Sequence, residues 1–220
     1  MDKNVISIEG NIGVGKTTFV NIINKKINDC NIVKEPIDLW KSMTDENGEN
    51  ILQIFYKDTK KWGYTFQNLA CITRMMCIED HIRESTCKYL FLDRSLGTDK
   101  FIFEKMLYDC GDISLIEHKM YNLWCDFYSK YVRSFKNELI IYLKCDTNTA
   151  YERIKKRGRV EEQNIQYEYL DQITKYHDEW LNKKDDNIII IDCNKDFEHD
   201  LDYQNEIIER INEKIITHFA

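Results

Sequence analysis

Apolar and β-branched residues cluster in five short runs along the chain, and between the runs apolar residues recur every three or four positions. Short runs of this kind predict β-strands, and the longer spacing predicts amphipathic helices. No tight hairpin turn joins two runs, so we predict an α/β fold with a five-stranded parallel sheet flanked by helices on both faces. Ligands of such sheets bind at the carboxyl ends of the strands. The predicted strands are residues 4–8, 31–34, 89–92, 139–143 and 188–191.

Helical spacing also marks the over fifty residues between the second and third predicted strands. Two helices are predicted there, one around residues 51–56 and one around residues 66–76, and two more at residues 104–107 and 115–131. The last of these carries an apolar seam that fits either the core or a face through which two copies pair, and the sequence leaves both open. The seam consists of Leu115, Met120, Leu123, Phe127 and Tyr131.

Composition narrows the class of protein. A chain of 220 residues with 43% hydrophobic and 31% charged residues predicts one globular domain over residues 1–220. Its net charge of −7 disfavours nucleic acid and anionic membranes as partners. The eight cysteines are scattered and form no Cys-x-x-Cys pair, so we expect reduced thiols. Without a signal, transit or transmembrane segment in the sequence, we expect a cytoplasmic protein.

Residues 10–18 match the phosphate-binding pattern G-x-x-x-x-G-K-[ST], and they follow the first predicted strand and open a helix. Glycines let the backbone approach phosphate oxygens, while the amides, the helix N-terminus and Lys16 supply positive charge. We expect the Thr17 hydroxyl to ligate Mg²⁺. We therefore predict a P-loop fold with a nucleotide phosphate donor. The predicted donor-binding residues are Gly10, Asn11, Ile12, Gly13, Val14, Gly15, Lys16, Thr17 and Thr18.

Two further strand ends carry charged residues toward the same edge of the sheet. Glu35 follows the second strand, and Pro36, the only proline in the chain, stiffens the turn that holds it. A carboxylate there is suited to accept the proton of an attacking alcohol. The third strand ends in Asp93 and Arg94. We expect Asp93 to hold Mg²⁺ through water, and Arg94 to fix Glu35 and stabilise the transferred phosphoryl group.

A basic segment ends the helix that follows the fourth strand. Arg153 and Arg157 lie on one helix face, and Gly158 allows the chain to turn so that Arg159 points back. We predict an arginine lid over residues 153–163 that closes on the donor phosphates and stabilises charge in the transition state.

The order of these features resembles the deoxynucleoside kinases of the deoxycytidine/deoxyguanosine kinase group over nearly the whole chain. The most specific segments are residues 56–74, the lid with residues 161–163, and residues 169–170. The resemblance implies ATP as donor, Mg²⁺, a deoxynucleoside 5′-hydroxyl as acceptor and a homodimer. It also implies roles for particular residues: Gln67 reads the base edge, Phe66 and Phe103 flank the base, Ile12, Trp40, Leu52 and Phe55 shape the pocket, Tyr56 and Glu162 hold the 3′-hydroxyl, and Asp196 and Phe197 touch the adenine.

The resemblance extends to base selectivity. Ala70, Arg74 and Asp99 stand at positions that resemble the family's selectivity triad, and thymidine-preferring relatives carry an apolar residue in place of Arg74 and a small one in place of Asp99. Because both charged residues are present here, we expect deoxycytidine or purine deoxynucleosides to be better substrates than thymidine.

One departure from the group's pattern keeps alternatives open. Asp93 stands where this group usually has Glu, so its carboxylate is one methylene shorter, as in the Asp-Arg pair of thymidylate kinases. A thymidylate-kinase-like enzyme, which phosphorylates a nucleotide, is therefore an alternative. A non-catalytic nucleotide-binding subunit on the same fold is a second alternative, disfavoured by the presence of Lys16, Glu35, Arg94 and Arg157.

Overall fold

The computed structural model describes residues 3–131, 138–159, 162, 165–182 and 185–220. Five strands form one parallel sheet, as the sequence predicts, and their order in the sheet is β2-β3-β1-β4-β5. Each strand lies within two residues of its predicted bounds. The strands are β1 (Asn4–Gly10), β2 (Cys30–Val33), β3 (Tyr89–Asp93), β4 (Leu139–Lys144) and β5 (Ile188–Asp192).

Helices fill the connections between the strands. They are α1 (Lys16–Lys26), α2 (Ile37–Ser42), α3 (Ile51–Lys57), α4 (Thr59–Glu84), α5 (Leu96–Thr98), α6 (Lys105–Asp109), α7 (Leu115–Tyr131), α8 (Thr147–Arg157), α9 (Tyr167–Leu181) and α10 (Leu201–His218), with a π-helical turn at Asp99–Glu104 between α5 and α6. Apolar residues of α1 and α10 pack on one face of the sheet, and those of α4 and α9 pack on the other. Alternate residues of β1 therefore face different helices, which buries the strand on both sides.

The segment between β2 and β3 contains three helices where the sequence predicts two. The additional helix is α2, which begins directly after Pro36, a residue suited to a helix start because its φ is fixed. α3 begins at a capping box between Asn50 and Gln53, and the Asp58 side chain accepts the Lys61 N–H at the start of α4. These caps set the boundary between two helices that the apolar pattern alone leaves indistinct.

The apolar seam of α7 is exposed. The side chains of Leu115, Met120, Leu123 and Phe127 are 46% to 71% exposed, which makes the core alternative wrong for these four residues. The side chain of Tyr131 lies outside the described residues. The opposite side of α7 buries Tyr121 and Cys125 against Cys71 of α4, so the two helices pack together.

All eight cysteines are free thiols, as expected, and four of them are buried. In the described ranges, no helix combines the length and the apolar character that a membrane span requires.

Candidate active site

The carboxyl ends of β1, β2 and β3 meet at a cleft of about 980 Å³, part of which is open to solvent. Ile8 of β1 pairs with Asp93 of β3, and Val33 of β2 pairs with Leu92. This register places the P-loop, Glu35 and Arg94 around one space, as the sequence predicts for the three strand ends.

The P-loop backbone requires glycine at two of its turns. Gly13 and Gly15 have φ angles of 82° and 105°, a backbone conformation that residues with a side chain rarely adopt. A Cβ at Gly13 would also lie 2.4 Å from the carbonyl oxygen of Ala150, and one at Gly15 would lie 2.8 Å from the ring of Phe197. The chain enters α1 at Lys16, directly after this turn, so the helix N-terminus faces the cleft.

Lys16 lies in the P-loop with its ammonium group buried. Its Nζ donates to the carbonyl oxygens of Gly10 at 2.9 Å and Asn11 at 2.8 Å. Burial, together with the nearby charge of Arg94, lowers the pKa of Lys16 to about 7. A phosphate placed against Nζ would favour the charged form again, so Lys16 is matched to an anionic ligand.

Several predicted donor-binding residues support the P-loop from outside the cleft. Asn11 donates to the Leu170 carbonyl at 2.8 Å and to the Thr174 hydroxyl at 2.7 Å, which ties the loop to α9. Arg153 donates to the Val14 carbonyl at 3.1 Å. The residues of this set that line the cleft are Ile12, Gly13, Gly15, Lys16 and Thr17, whereas Gly10, Asn11, Val14, Thr18 and Arg153 do not line it.

Glu35 is held by two arginines. Nη1 of Arg94 donates to its Oε2 at 3.0 Å and to its Oε1 at 3.2 Å, and Nη2 of Arg74 donates to Oε1 at 2.8 Å. The predicted contact between Arg94 and Glu35 is thus present. Burial raises the pKa of Glu35, but the charges of Arg94 and Arg74 outweigh it and bring the pKa to about 2. Glu35 is therefore a carboxylate at neutral pH.

Arg74 joins Glu35 to Asp99. Its Nε donates to one carboxylate oxygen of Asp99 at 2.7 Å and its Nη2 to the other at 3.2 Å. Its Nη1 donates to the Asp93 carbonyl at 3.2 Å. The Arg74 and Asp99 side chains are each 2% exposed, so this two-bond pair is removed from water and its geometry is fixed.

The π-helical turn delivers Asp99 and Phe103 to the cleft. π-turns are rare and occur mostly at functional sites. Here Asp99 is the first residue of the turn and pairs with the Arg74 guanidinium. The centroid of the Phe103 ring lies 5.2 Å from the guanidinium carbon of Arg94. The turn thus supplies one charged and one aromatic wall of the cleft.

The inner part of the cleft is lined by aromatic residues and by Gln67. Phe66 stacks on Phe55 with ring centroids 4.7 Å apart, and Trp40 packs edge-on to Phe66 while its indole N–H donates to Thr73. Gln67 is buried, and its Oε1 has no hydrogen-bond partner among the described residues. A buried amide oxygen without a donor is costly unless a ligand supplies one. The residues predicted to surround the base, which also include Leu52, Ala70 and Phe103, all line this space.

The outer rim is formed by the lid and by Tyr56. Gly158 has a φ of 67°, which confirms the predicted turn after α8. Arg157 donates to the Glu162 carboxylate at 2.6 Å and 2.7 Å, and Arg159 lies 3.5 Å from it. These three residues and Tyr56 line the cleft. The remaining residues of the predicted 161–163 segment, Glu161 and Gln163, lie outside the described residues.

Asp93 and Thr17 line the cleft beside Lys16, as predicted for a metal site. The Oδ1 atom of Asp93 is buried without a hydrogen-bond donor among the described residues. Burial, and then the charge of Glu35, raises the pKa of Asp93. An unpartnered carboxylate oxygen in a cleft that a threonine also lines fits a hard cation such as Mg²⁺.

That Asp196 and Phe197 touch the adenine stays a prediction, and both residues lie outside the cleft. Phe197 is buried in the core beneath the P-loop, edge-on to Phe19 at 5.8 Å. Asp196 is exposed and accepts the backbone N–H groups of Glu198 and His199. Neither residue lines the cleft, because the ring fills the space under Gly15 and the carboxylate caps its own turn.

The sequence analysis missed three residues of the cleft, Ile37, Lys41 and Tyr169. The first two lie on α2, the short helix that the apolar pattern did not reveal. Tyr169 lies on α9 with its ring edge-on to that of Tyr56. Its position just after the lid segment was the available signal.

Comparison with known proteins places this geometry in a family. Residues 6–217 match the family model described as deoxynucleoside kinase. Deoxycytidine kinase 1 of Xenopus laevis is 33% identical, over 96% of this chain and 90% of that protein. Deoxycytidine kinase of Homo sapiens is 32% identical over 96% and 91%, and the probable deoxycytidine kinase of fowlpox virus is 35% identical over 94% and 86%. With a P-loop, an arginine-held glutamate and an arginine lid around one cleft, and with a family model that matches residues 6–217, this chain belongs to the deoxynucleoside kinase family.

Proposed function

We propose that this chain transfers the γ-phosphate of ATP to the 5′-hydroxyl of a deoxynucleoside, with deoxycytidine and purine deoxynucleosides preferred over thymidine. The product is the deoxynucleoside monophosphate, a precursor for DNA synthesis formed by salvage. The observation that carries the proposal is the placement of Glu35, held by Arg94 and Arg74, in the same cleft as the P-loop Lys16.

On the acceptor side, Glu35 orients the attacking hydroxyl. Among the described residues its Oε2 takes one hydrogen bond, from Arg94, which leaves acceptor capacity for the 5′-hydroxyl. Because the arginines lower its pKa to about 2, the carboxylate is ionised at neutral pH. It accepts the proton of the 5′-hydroxyl only late in the reaction, as the new O–P bond forms. Arg94 then stabilises charge that spreads over the transferred group.

On the donor side, the P-loop amides and Lys16 hold the phosphates, and Arg157 and Arg159 approach from the lid. Thr17 and Asp93 are the residues suited to hold Mg²⁺. When bound, the metal neutralises charge on the donor phosphate oxygens. Positioning and charge stabilisation of this kind account for most of the catalysis in phosphoryl transfer.

Base preference follows from the charges at the inner end of the cleft. Asp99 accepts hydrogen bonds, and Gln67 offers an amide whose oxygen lacks a donor. The exocyclic amine of cytosine or adenine supplies a donor, and Arg74 can donate to O6 or N7 of a purine. Thymine instead places a carbonyl where cytosine has its amine, and a methyl group toward Arg74. A mismatch in a closed pocket costs about 1 to 3 kcal/mol, or more.

The test is turnover of purified chain with ATP and Mg²⁺ against deoxycytidine, deoxyadenosine, deoxyguanosine and thymidine, with dCMP and TMP in parallel. We expect phosphorylation of deoxycytidine or a purine deoxynucleoside, a lower kcat/KM for thymidine, and no turnover of either nucleotide. Phosphorylation of TMP but of no nucleoside would establish the thymidylate-kinase alternative. Nucleotide binding without any turnover would establish the non-catalytic alternative.

We also propose that two copies of the chain pair through α4 and α7. Ile72 and Met76 of α4 are 45% and 58% exposed, and the exposed α7 seam lies on a helix that packs against α4. Contiguous exposed apolar residues of this kind mark interaction surfaces. Sedimentation equilibrium should give twice the chain mass, and Leu123→Glu should give a folded monomer. A monomeric wild-type chain would contradict the pairing.

A further inference from the structure

Glu9 is a fully buried carboxylate that the phosphoryl-transfer scheme does not use. It lies near the end of β1, one residue before the P-loop begins, and its side chain faces the turn that follows β3. Its Oε1 accepts the backbone N–H of Ser95 at 2.8 Å, and its Oε2 accepts the hydroxyl of Thr98. Both oxygens are thus committed to one short segment of the chain.

That segment follows directly after Arg94, whose guanidinium donates to Glu35. Arg94 lies directly before Ser95 and has a φ of 67°, a left-handed conformation that a non-glycine residue keeps only where its surroundings impose it. The Arg94 N–H donates to the Ile8 carbonyl at 3.1 Å, so consecutive residues of β1 hold Arg94 and Ser95. Without the Glu9 bonds, the turn can relax, and the Arg94 guanidinium then loses its fixed position 3.0 Å from Glu35.

We propose that Glu9 is a positioning residue for phosphoryl transfer, whose side chain, by accepting the Ser95 N–H and the Thr98 hydroxyl, holds the 94–98 turn so that Arg94 is in place against Glu35 before the substrates bind. Glu9 does not line the cleft, so in this proposal it acts through Arg94. In this way β1 positions two parts of the site, the P-loop at its end and the arginine of the neighbouring strand.

A second carboxyl in the same buried space provides a matched control. Glu138, just before β4, has Ser7, Ser95 and Glu9 as its polar neighbours. Its Oε1 has no hydrogen-bond partner among the described residues. Burial raises the pKa of both carboxyl groups, that of Glu138 to about 8. Glutamine keeps the shape of glutamate, so Glu138→Gln breaks no bond at the unpartnered Oε1, whereas Glu9→Gln replaces one of two accepting oxygens with an NH₂ group.

The same substitution at the two positions is therefore expected to give opposite results. Glu9→Gln still accepts from Ser95 but turns an NH₂ group toward the Thr98 hydroxyl, so we expect kcat to fall about 10-fold, and about 100-fold for Glu9→Ala. Thr98→Val, which removes one of the two donors, should lie between wild type and Glu9→Ala. Glu138→Gln should keep kcat within about threefold. Circular dichroism and the nucleoside Kd, unchanged within about threefold, show that each variant is folded.

The route through Arg94 is tested by a double-variant cycle. If Glu9 acts by placing Arg94, then Glu9→Gln should lower kcat in the wild-type background and have almost no effect in an Arg94→Ala background. A full additional loss in that background would overturn the proposal. Equal losses for Glu9→Gln and Glu138→Gln would also overturn it, since they would assign both residues to general stability. Because Glu9→Gln is nearly isosteric, the test holds even where Glu9→Ala does not fold.

Discussion

The P-loop lysine is held by bonds within its own loop, whereas the charged groups of the acceptor pocket are held by ion pairs between distant residues. Lys16 bonds to carbonyls five and six residues away. Arg74 reaches Asp99 and Glu35, which are 25 and 39 residues away, and Arg94 reaches Glu35 across 59 residues. The phosphate-binding loop is thus formed by one local segment, which Asn11 and Arg153 tie to α9 and α8, but the acceptor site exists only when three parts of the chain have folded together.

This difference predicts how each region responds to change. Removing one partner of a buried ion pair leaves an uncompensated charge and costs about 3 to 5 kcal/mol. The lid pair between Arg157 and Glu162 is partly exposed and contributes about 0 to 1 kcal/mol to stability. We infer that the acceptor charges form a rigid frame, while the lid can exchange its partners when ATP binds.

The largest expected effect is at the acceptor. Glu35→Gln keeps the shape of the side chain but removes the basic oxygen, so kcat should fall by roughly 10² to 10⁴ while the nucleoside still binds. The measurement is kcat together with nucleoside Kd by calorimetry. Glu104→Gln is a suitable control, because the Glu104 side chain is even more buried than that of Glu35 but bonds to His118 outside the cleft. Near-full turnover of Glu35→Gln would contradict the assignment of Glu35 as the general base.

A smaller effect is expected in the lid. Arg157→Ala removes a charge that acts mainly in the transition state, so kcat should fall by about 10-fold to 100-fold with little change in the KM for ATP. Lys156→Ala, one residue earlier on the exposed side of α8, is the control and should leave both constants unchanged. A rise in KM alone would make Arg157 a ground-state ligand and contradict the lid scheme.

The smallest effect is a pH dependence on the donor side. With its pKa lowered to about 7, Lys16 of the free protein loses its charge as the pH rises through 7. The kcat/KM for ATP should therefore fall by up to about tenfold per pH unit above 7, while kcat at saturating ATP stays flat because bound phosphates keep Lys16 charged. A flat kcat/KM between pH 6 and 9, measured over that range at constant ionic strength, would contradict this.

The same contrast explains what the sequence reveals. The strands, the P-loop and the strand-end residues Glu35, Asp93 and Arg94 were predicted because each depends on local pattern. The bridge from Arg74 to both Glu35 and Asp99 depends on how α4 packs beside β2 and β3, which no local pattern encodes. The π-helical turn begins at Asp99, whose partner Arg74 lies 25 residues earlier in the chain. Its position therefore depends on a tertiary contact. Nothing in the local sequence distinguishes Glu9 from other residues at strand ends. Its hydrogen bonds to Ser95 and Thr98 are tertiary contacts.

The central claim is that Arg74 and Asp99, joined in one buried pair, select the nucleoside. The most direct measurement is the ratio of kcat/KM for deoxycytidine to that for thymidine, in the wild type and in the double variant Arg74→Met with Asp99→Ala. Removing both charges together avoids leaving either one buried alone. We expect the wild type to favour deoxycytidine and the ratio to shift toward thymidine by about 10-fold to 100-fold in the double variant. A wild type that prefers thymidine, or a folded double variant with an unchanged ratio, would contradict the account.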